Sequence, residues 1–183
     1  MYRAVAWKAQ HDGIDLADVV RVTYLAEHAR FDLDGRVLID GHDVTAAIRT
    51  PEIDAAAAIV ARHPPVRAVL VERQRAYGKD GGVVMEGRDI GTVVFPAADV
   101  KVYLDASPEE RARRRAHDPS HAAGREAASA VAQALDARDR SDRTRAASPL
   151  TKADDAVYID TTGLTIDQVV DQVMAIVHSS FLS

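Results

Sequence analysis

Three short apolar runs constrain this chain most: Val83-Val84-Met85, Val100-Lys101-Val102-Tyr103-Leu104 and Val157-Tyr158-Ile159-Asp160. Each has the length and composition of a buried strand. The second is followed at once by Ser107-Pro108-Glu109-Glu110, a helix start with a capping hydroxyl, proline in the first turn and acids beside it. The third is followed by Thr165, which caps an amphipathic helix expected to run through Val177. Strands that alternate with helices in this way predict a parallel α/β sheet.

The front of the chain has a different pattern. Tyr2 to Gln10 reads as a helix stopped near Gly13, and Asp15 is expected to cap a second one. Between Ala29 and Val44, Asp34-Gly35 and Asp40-Gly41 flank Val37-Leu38-Ile39, and Asp-Gly supplies the positive φ angles of tight hairpins. A small antiparallel meander is expected there. Thr50-Pro51-Glu52 opens a further helix that Pro64-Pro65 should end, and Val66 to Tyr77 forms another before Gly78. Asp118 to Ala130 is small and polar and reads as a mobile segment, followed by an Arg/Asp-rich helix from Ala132 to Arg145.

Composition excludes more than it selects. With 183 residues, 47% of them apolar, the chain suits one compact domain with or without a small lobe. It lacks the run of about 18 apolar residues that a membrane helix needs, and its first residues do not form a secretion signal. Cysteine is absent, which removes disulfides and thiolate metal sites and fits a cytoplasmic protein. A net charge of -5 provides no global attraction to nucleic acid. Its cations are unusual in kind: of 23 Lys and Arg, only Lys8, Lys79, Lys101 and Lys152 are lysine. Arginine grips phosphate and carboxylate with two prongs, but a bias toward Arg and Ala codons is the better explanation of the count, so composition alone decides nothing.

Position then decides which arginines matter. Glu86-Gly87-Arg88-Asp89-Ile90-Gly91-Thr92-Val93-Val94-Phe95-Pro96 follows a strand candidate. Arg88 and Asp89 would therefore sit at the carboxyl edge of the sheet, where ligands bind in open α/β folds. A tight turn with a solvated Arg-Asp pair explains the same residues. On a helix, Arg138, Asp142 and Arg145 share one face, cation-anion-cation, which could hold a phosphate or merely knit a solvated helix. Arg113 near a helix end suits the helix dipole, and Arg111 and Arg114 remain open. The histidines are scattered without metal-ligand spacing, and Gly-x-Ser-x-Gly does not occur.

Taken together, these segments closely resemble cytidylate kinases of the bacterial type. The matching pieces are Met1 to Ala6, Asp43-Val44 with Ile48 to Glu52, Pro65-Val66-Arg67 with Gln74-Arg75, Glu86 to Pro96, Val100 to Arg115, Arg138 to Leu150 and Asp155 to Asp160. They follow the family's order over nearly the whole chain. The resemblance implies a P-loop NTPase-like parallel sheet flanked by helices, a core formed by residues 1–28 and 45–183, a CMP-side insert at 29–44 and a helical lid at about 118–145. It implies phosphoryl transfer from ATP to CMP or dCMP with Mg²⁺, in a cytoplasmic monomer without nucleic-acid or membrane partners.

The resemblance also implies roles. Arg3, Arg88 and Arg138 match arginines around the CMP phosphate and the transferring group, and Arg145 a second lid arginine. Arg67 and Asp89 match the pair that reads cytosine, Asp142 a ribose-hydroxyl acceptor, and Arg114 a residue near ATP. At Ala58 the family usually has a serine that helps contact the base. A larger departure is that Gly-x-x-x-x-Gly-Lys-Ser/Thr, which the family places ahead of the position matching Met1, does not occur in these 183 residues. The first strand and its phosphate loop are then expected to be missing, leaving this chain inactive by itself, its sheet with unpaired inner edges. A non-catalytic CMP-binding remnant is the alternative, and an arginine-mediated nucleic-acid binder a distant third.

Overall fold

The computed structural model describes residues 1–117 and 151–182, so the lid helix expected at 132–145, with Arg138, Asp142 and Arg145, lies outside the described residues. The chain divides into two compact units, Met1–Gly82 and Val83–Ser183.

The first unit is helical with a small sheet. Its elements are α1 (Tyr2–His11), α2 (Val19–His28), β1 (Phe31–Asp32), β2 (Leu38–Ile39), β3 (His42–Asp43), α3 (Pro51–Val60) and α4 (Pro64–Tyr77). Helix α1 packs against α3 and α2 against α4. Val5, Val22, Val60, Val66 and Leu70 are fully buried between them, with alanines 6, 26, 56 and 57 allowing close approach. The three strands form an antiparallel meander in the order β1-β2-β3. Asp40 and Gly41 both take positive φ (49° and 81°), the two-residue turn that Asp-Gly favours. Ile39 drives the meander onto α1 and α3, where it is buried with Ala4, Val44, Ile48 and Ile53.

Two boundaries in this unit differ from expectation. Asp15 does not cap α2: its carboxylate accepts from Ala17 N at 2.9 Å and its carbonyl from Asp18 N at 3.0 Å, closing a turn. Asp18 takes the capping role one turn later, accepting from Arg21 N at 3.0 Å. Pro64 and Pro65 do not end α3, which stops at Val60; they occupy the first turn of α4, where a missing N–H costs nothing.

The second unit holds β4 (Val102–Asp105), α5 (Pro108–His117), β5 (Val157–Asp160) and α6 (Ile166–Phe181). Strands β4 and β5 pair in parallel, Val102 opposite Val157 through Asp105 opposite Asp160, so the expected parallel arrangement is present. Thr165 caps α6 in a reciprocal box with Gln168. The helix continues one turn beyond Val177, to Phe181. Val83-Val84-Met85 is not a strand, contrary to expectation, and Val84 is 100% exposed. Apolar composition does not make a strand by itself; the ladder partner does, and no described strand pairs with these residues. Among the described residues no helix is long and apolar enough to cross a membrane.

Candidate functional site

In the first unit, two of the expected site arginines lie near the N-terminal turn of α1. Arg3 donates from one terminal nitrogen to Ile48 O at 3.3 Å, and its other terminal nitrogen lies 2.8 Å from Asp54 Oδ1. Arg67, on α4, is only 5% exposed, and its guanidinium lies 5.7 Å from the centre of the Tyr2 ring, the geometry of a cation–π contact. One of its nitrogens donates to Ala61 O at 3.4 Å. A buried guanidinium is costly unless the surrounding structure engages it, so Arg67 is not placed for solvation. Ala58, on α3, is half-buried and brings no hydroxyl.

In the second unit, Arg88 and Asp89 precede a single turn of π-helix over Ile90–Val94. Asp89 is buried, 8% exposed, and its carbonyl accepts from Val93 N at 2.9 Å and Val94 N at 3.2 Å. Such π turns are rare and occur often at functional sites. Gly87 has a steric reason: a Cβ there would stand 2.8 Å from Ile90 Cγ1. Lys101 fixes the far side of the segment, bonding the carbonyl of Pro96 and, at 2.6 Å, Asp155.

Arg114, on α5, is held at the carboxyl edge of β4 and β5 by a network that sequence reading did not anticipate. Its Nε donates to Glu110 Oε1 at 2.7 Å, and its terminal nitrogens donate to Thr161 Oγ1 at 2.9 Å and Thr161 O at 2.6 Å. Thr161 Oγ1 in turn donates to Asp105 O at 2.7 Å. Arg113 clasps both Glu110 oxygens at 2.8 Å, a local ion pair within the helix whose end it was expected to complement through the dipole alone. The four-residue spacing of Glu110 and Arg114 was the available signal; Thr161 had none.

These bonds set the charge state of Glu110. The Arg113 guanidinium, helped by Arg114, holds its carboxyl down to about 2, from an ordinary 4.5. A group depressed on folding stabilises the fold fully above its unfolded value and loses that contribution as pH falls through the folded one. The Glu110 contribution is therefore complete above pH 4.5 and fades toward pH 2. Urea midpoints measured between those pH values are expected to fall in the native chain, and to fall less steeply in Glu110→Gln. Equal slopes would show that the network contributes nothing to folding.

Of the expected site residues, Arg3 and Arg67 thus fall in the first unit and Arg88, Asp89 and Arg114 in the second. Arg138, Asp142 and Arg145 lie outside the described residues. Among the described residues no three of His, Cys, Asp and Glu converge to hold a metal ion.

The family model for cytidylate kinase matches residues 1–179. A cytidylate kinase of Desulfitobacterium hafniense (strain Y51) is 46% identical over 180 residues, covering 96% of this chain and 78% of that protein. One from Pelotomaculum thermopropionicum is 48% identical over 181 residues, covering 96% of this chain and 80% of the relative. A bifunctional pantoate ligase/cytidylate kinase of Synechococcus sp. (strain WH7803) is 48% identical over 180 residues, covering 93% of this chain and 36% of that longer protein.

Proposed function

The chain belongs to the cytidylate kinase family, transferases that move a phosphoryl group from ATP to CMP, and on that premise we propose how its own residues divide the work. Arg3 faces the CMP phosphate, and Arg67 and Asp89 read cytosine. Cytosine offers an amino donor beside ring acceptors, so a carboxylate and a guanidinium together match its edge. Arg88, Arg138 and Arg145 neutralise the transferring group, Asp142 accepts from the ribose, and Arg114 lies by ATP. The meander at 29–44 flanks the CMP side. The observation that supports this reading most is the burial of Arg67 and Asp89, at 5% and 8% exposure, since recognition groups work best where water does not compete.

Closure of the segment at about 118–145 would bring Arg138 and Arg145 onto the phosphates and exclude water, limiting wasteful ATP hydrolysis. Mg²⁺ fits only as a companion of the ATP phosphates, where it keeps several waters and needs few protein carboxylates; when bound it neutralises phosphate charge. The acidic side chains described do not form a cage for it. We read the protein as a monomer of the cytoplasm.

Phosphate cradling is the part these 183 residues leave open, because no Gly-x-x-x-x-Gly-Lys-Ser/Thr occurs among them. The 183-residue polypeptide is accordingly proposed to bind CMP without turning it over. Calorimetry with CMP and a coupled ATP/CMP assay test this, run on the chain alone and on a version extended upstream through such a loop. CMP binding by both with turnover only by the extended version is expected. Equal turnover would refute the loop requirement, and absence of CMP binding from both would refute the site. Salt-dependent RNA affinity without a CMP response would favour a nucleic-acid binder instead.

A further inference from the structure

Asp54 occupies the fourth residue of α3, and a first-turn acid there has an ordinary explanation in the helix dipole. Glu52, exposed two residues earlier, serves that purpose without burial. The Asp54 side chain is instead 7% exposed, and its Oδ1 lies 2.8 Å from a terminal nitrogen of Arg3. A buried carboxylate is costly unless it is paired, so its position calls for a reason beyond the dipole.

The arrangement at Arg3 supplies one. Its two terminal nitrogens are engaged by different parts of the chain, one by Asp54 on α3 and the other by the carbonyl of Ile48 ahead of that helix. Two contacts on one planar group fix both its position and its plane. The Arg3 side chain remains 36% exposed, and a guanidinium has five N–H donors, so donors remain for an anion. Phosphate recognition by arginine depends on presenting a fork in a set orientation, and side-chain freedom is lost before the ligand arrives.

We infer that Asp54 is a positioning residue for the nucleotide phosphate: it holds the Arg3 guanidinium in the orientation that accepts a phosphate monoester. The inference rests on the reading of Arg3 as a phosphate ligand. Two effects oppose each other here. Fixing the fork favours the phosphate, whereas a carboxylate beside it dilutes the positive charge. The sign of the effect of Asp54 on phosphate binding therefore decides between them.

The test is calorimetric binding of CMP and of cytidine to the 183-residue chain, which isolates the phosphate contribution as a ratio of affinities. Asp54→Asn keeps shape and removes the charge; it is expected to lower the CMP-to-cytidine ratio roughly tenfold, with cytidine affinity unchanged. Arg3→Ala should collapse the ratio, and adding Asp54→Asn to it should lower the ratio no further. Arg3→Lys keeps the charge but not the fork, and should reproduce the Asp54→Asn loss; this arm decides the matter if circular dichroism shows that Asp54→Asn does not fold. An unchanged or raised ratio in Asp54→Asn, or an unchanged ratio in Arg3→Lys, with Arg3→Ala still collapsing it, overturns the inference and leaves the reading of Arg3 intact. An unchanged ratio in Arg3→Ala, or no CMP preference in the native chain, overturns both.

Discussion

Asp89→Ala is expected to cost CMP about 2 kcal/mol of binding, roughly thirtyfold, while affinity for UMP rises. The asymmetry follows from the two bases. Cytosine presents an amino donor where uracil presents a carbonyl, so a carboxylate attracts one and repels the other. Removing it takes an attraction from CMP and a repulsion from UMP. The backbone has little cause to move, because the π turn is anchored by the Asp89 carbonyl, which accepts from Val93 N and Val94 N in any variant. Asp89→Asn should also narrow discrimination, since an amide can turn its oxygen toward the cytosine amino group or its NH₂ toward the uracil carbonyl. Calorimetric titration of both nucleotides measures the effect. Equal losses for CMP and UMP would show that Asp89 supports the loop rather than reading the base.

Leu70→Ala is expected to destabilise the chain by about 2–5 kcal/mol, the range for a leucine removed from a close-packed core. Leu70 is fully buried among Val5, Val22, Val60 and Val66, so its truncation removes buried apolar contact from this cluster. The control is Val84→Ala. Val84 is 100% exposed, so the same kind of truncation there should stay within about 0.5 kcal/mol. Urea unfolding followed by circular dichroism reads both. Equal destabilisation by the two would mean that Val84 is packed in solution, in the strand that the sequence leads one to expect.

Much of the fold was legible because it rests on local chemistry. Thr50 followed by Pro51, Ser107 followed by Pro108, and Thr165 three residues ahead of Gln168 announce helix starts through groups that bond within one turn. Asp40-Gly41 announces a hairpin because few other residue pairs accept two positive φ angles. Where local signals competed, reading went astray: Asp15 and Asp18 both suit a cap, and only the turn closed by Asp15 decides between them. The candidate site was legible only as residue types. Arg88 and Asp89 were singled out by their place after a strand candidate, where a solvated turn explains them equally well, whereas Arg3 and Arg67 entered only through the family resemblance.

The amino-acid sequence by itself determined the described helices, the meander, the strand segments β4 and β5 and the family, because capping, turn chemistry and apolar periodicity act over a few residues, and the family's segments stand in order along the chain. Only the tertiary structure decided that Arg67 is buried against Tyr2, that Asp54 meets Arg3, that Thr161 completes the hold on Arg114 and that Val84 faces water. Those facts depend on residues 47 to 65 positions apart, or on a ladder partner, and burial and long-range pairing are properties of the assembled chain that no local pattern encodes.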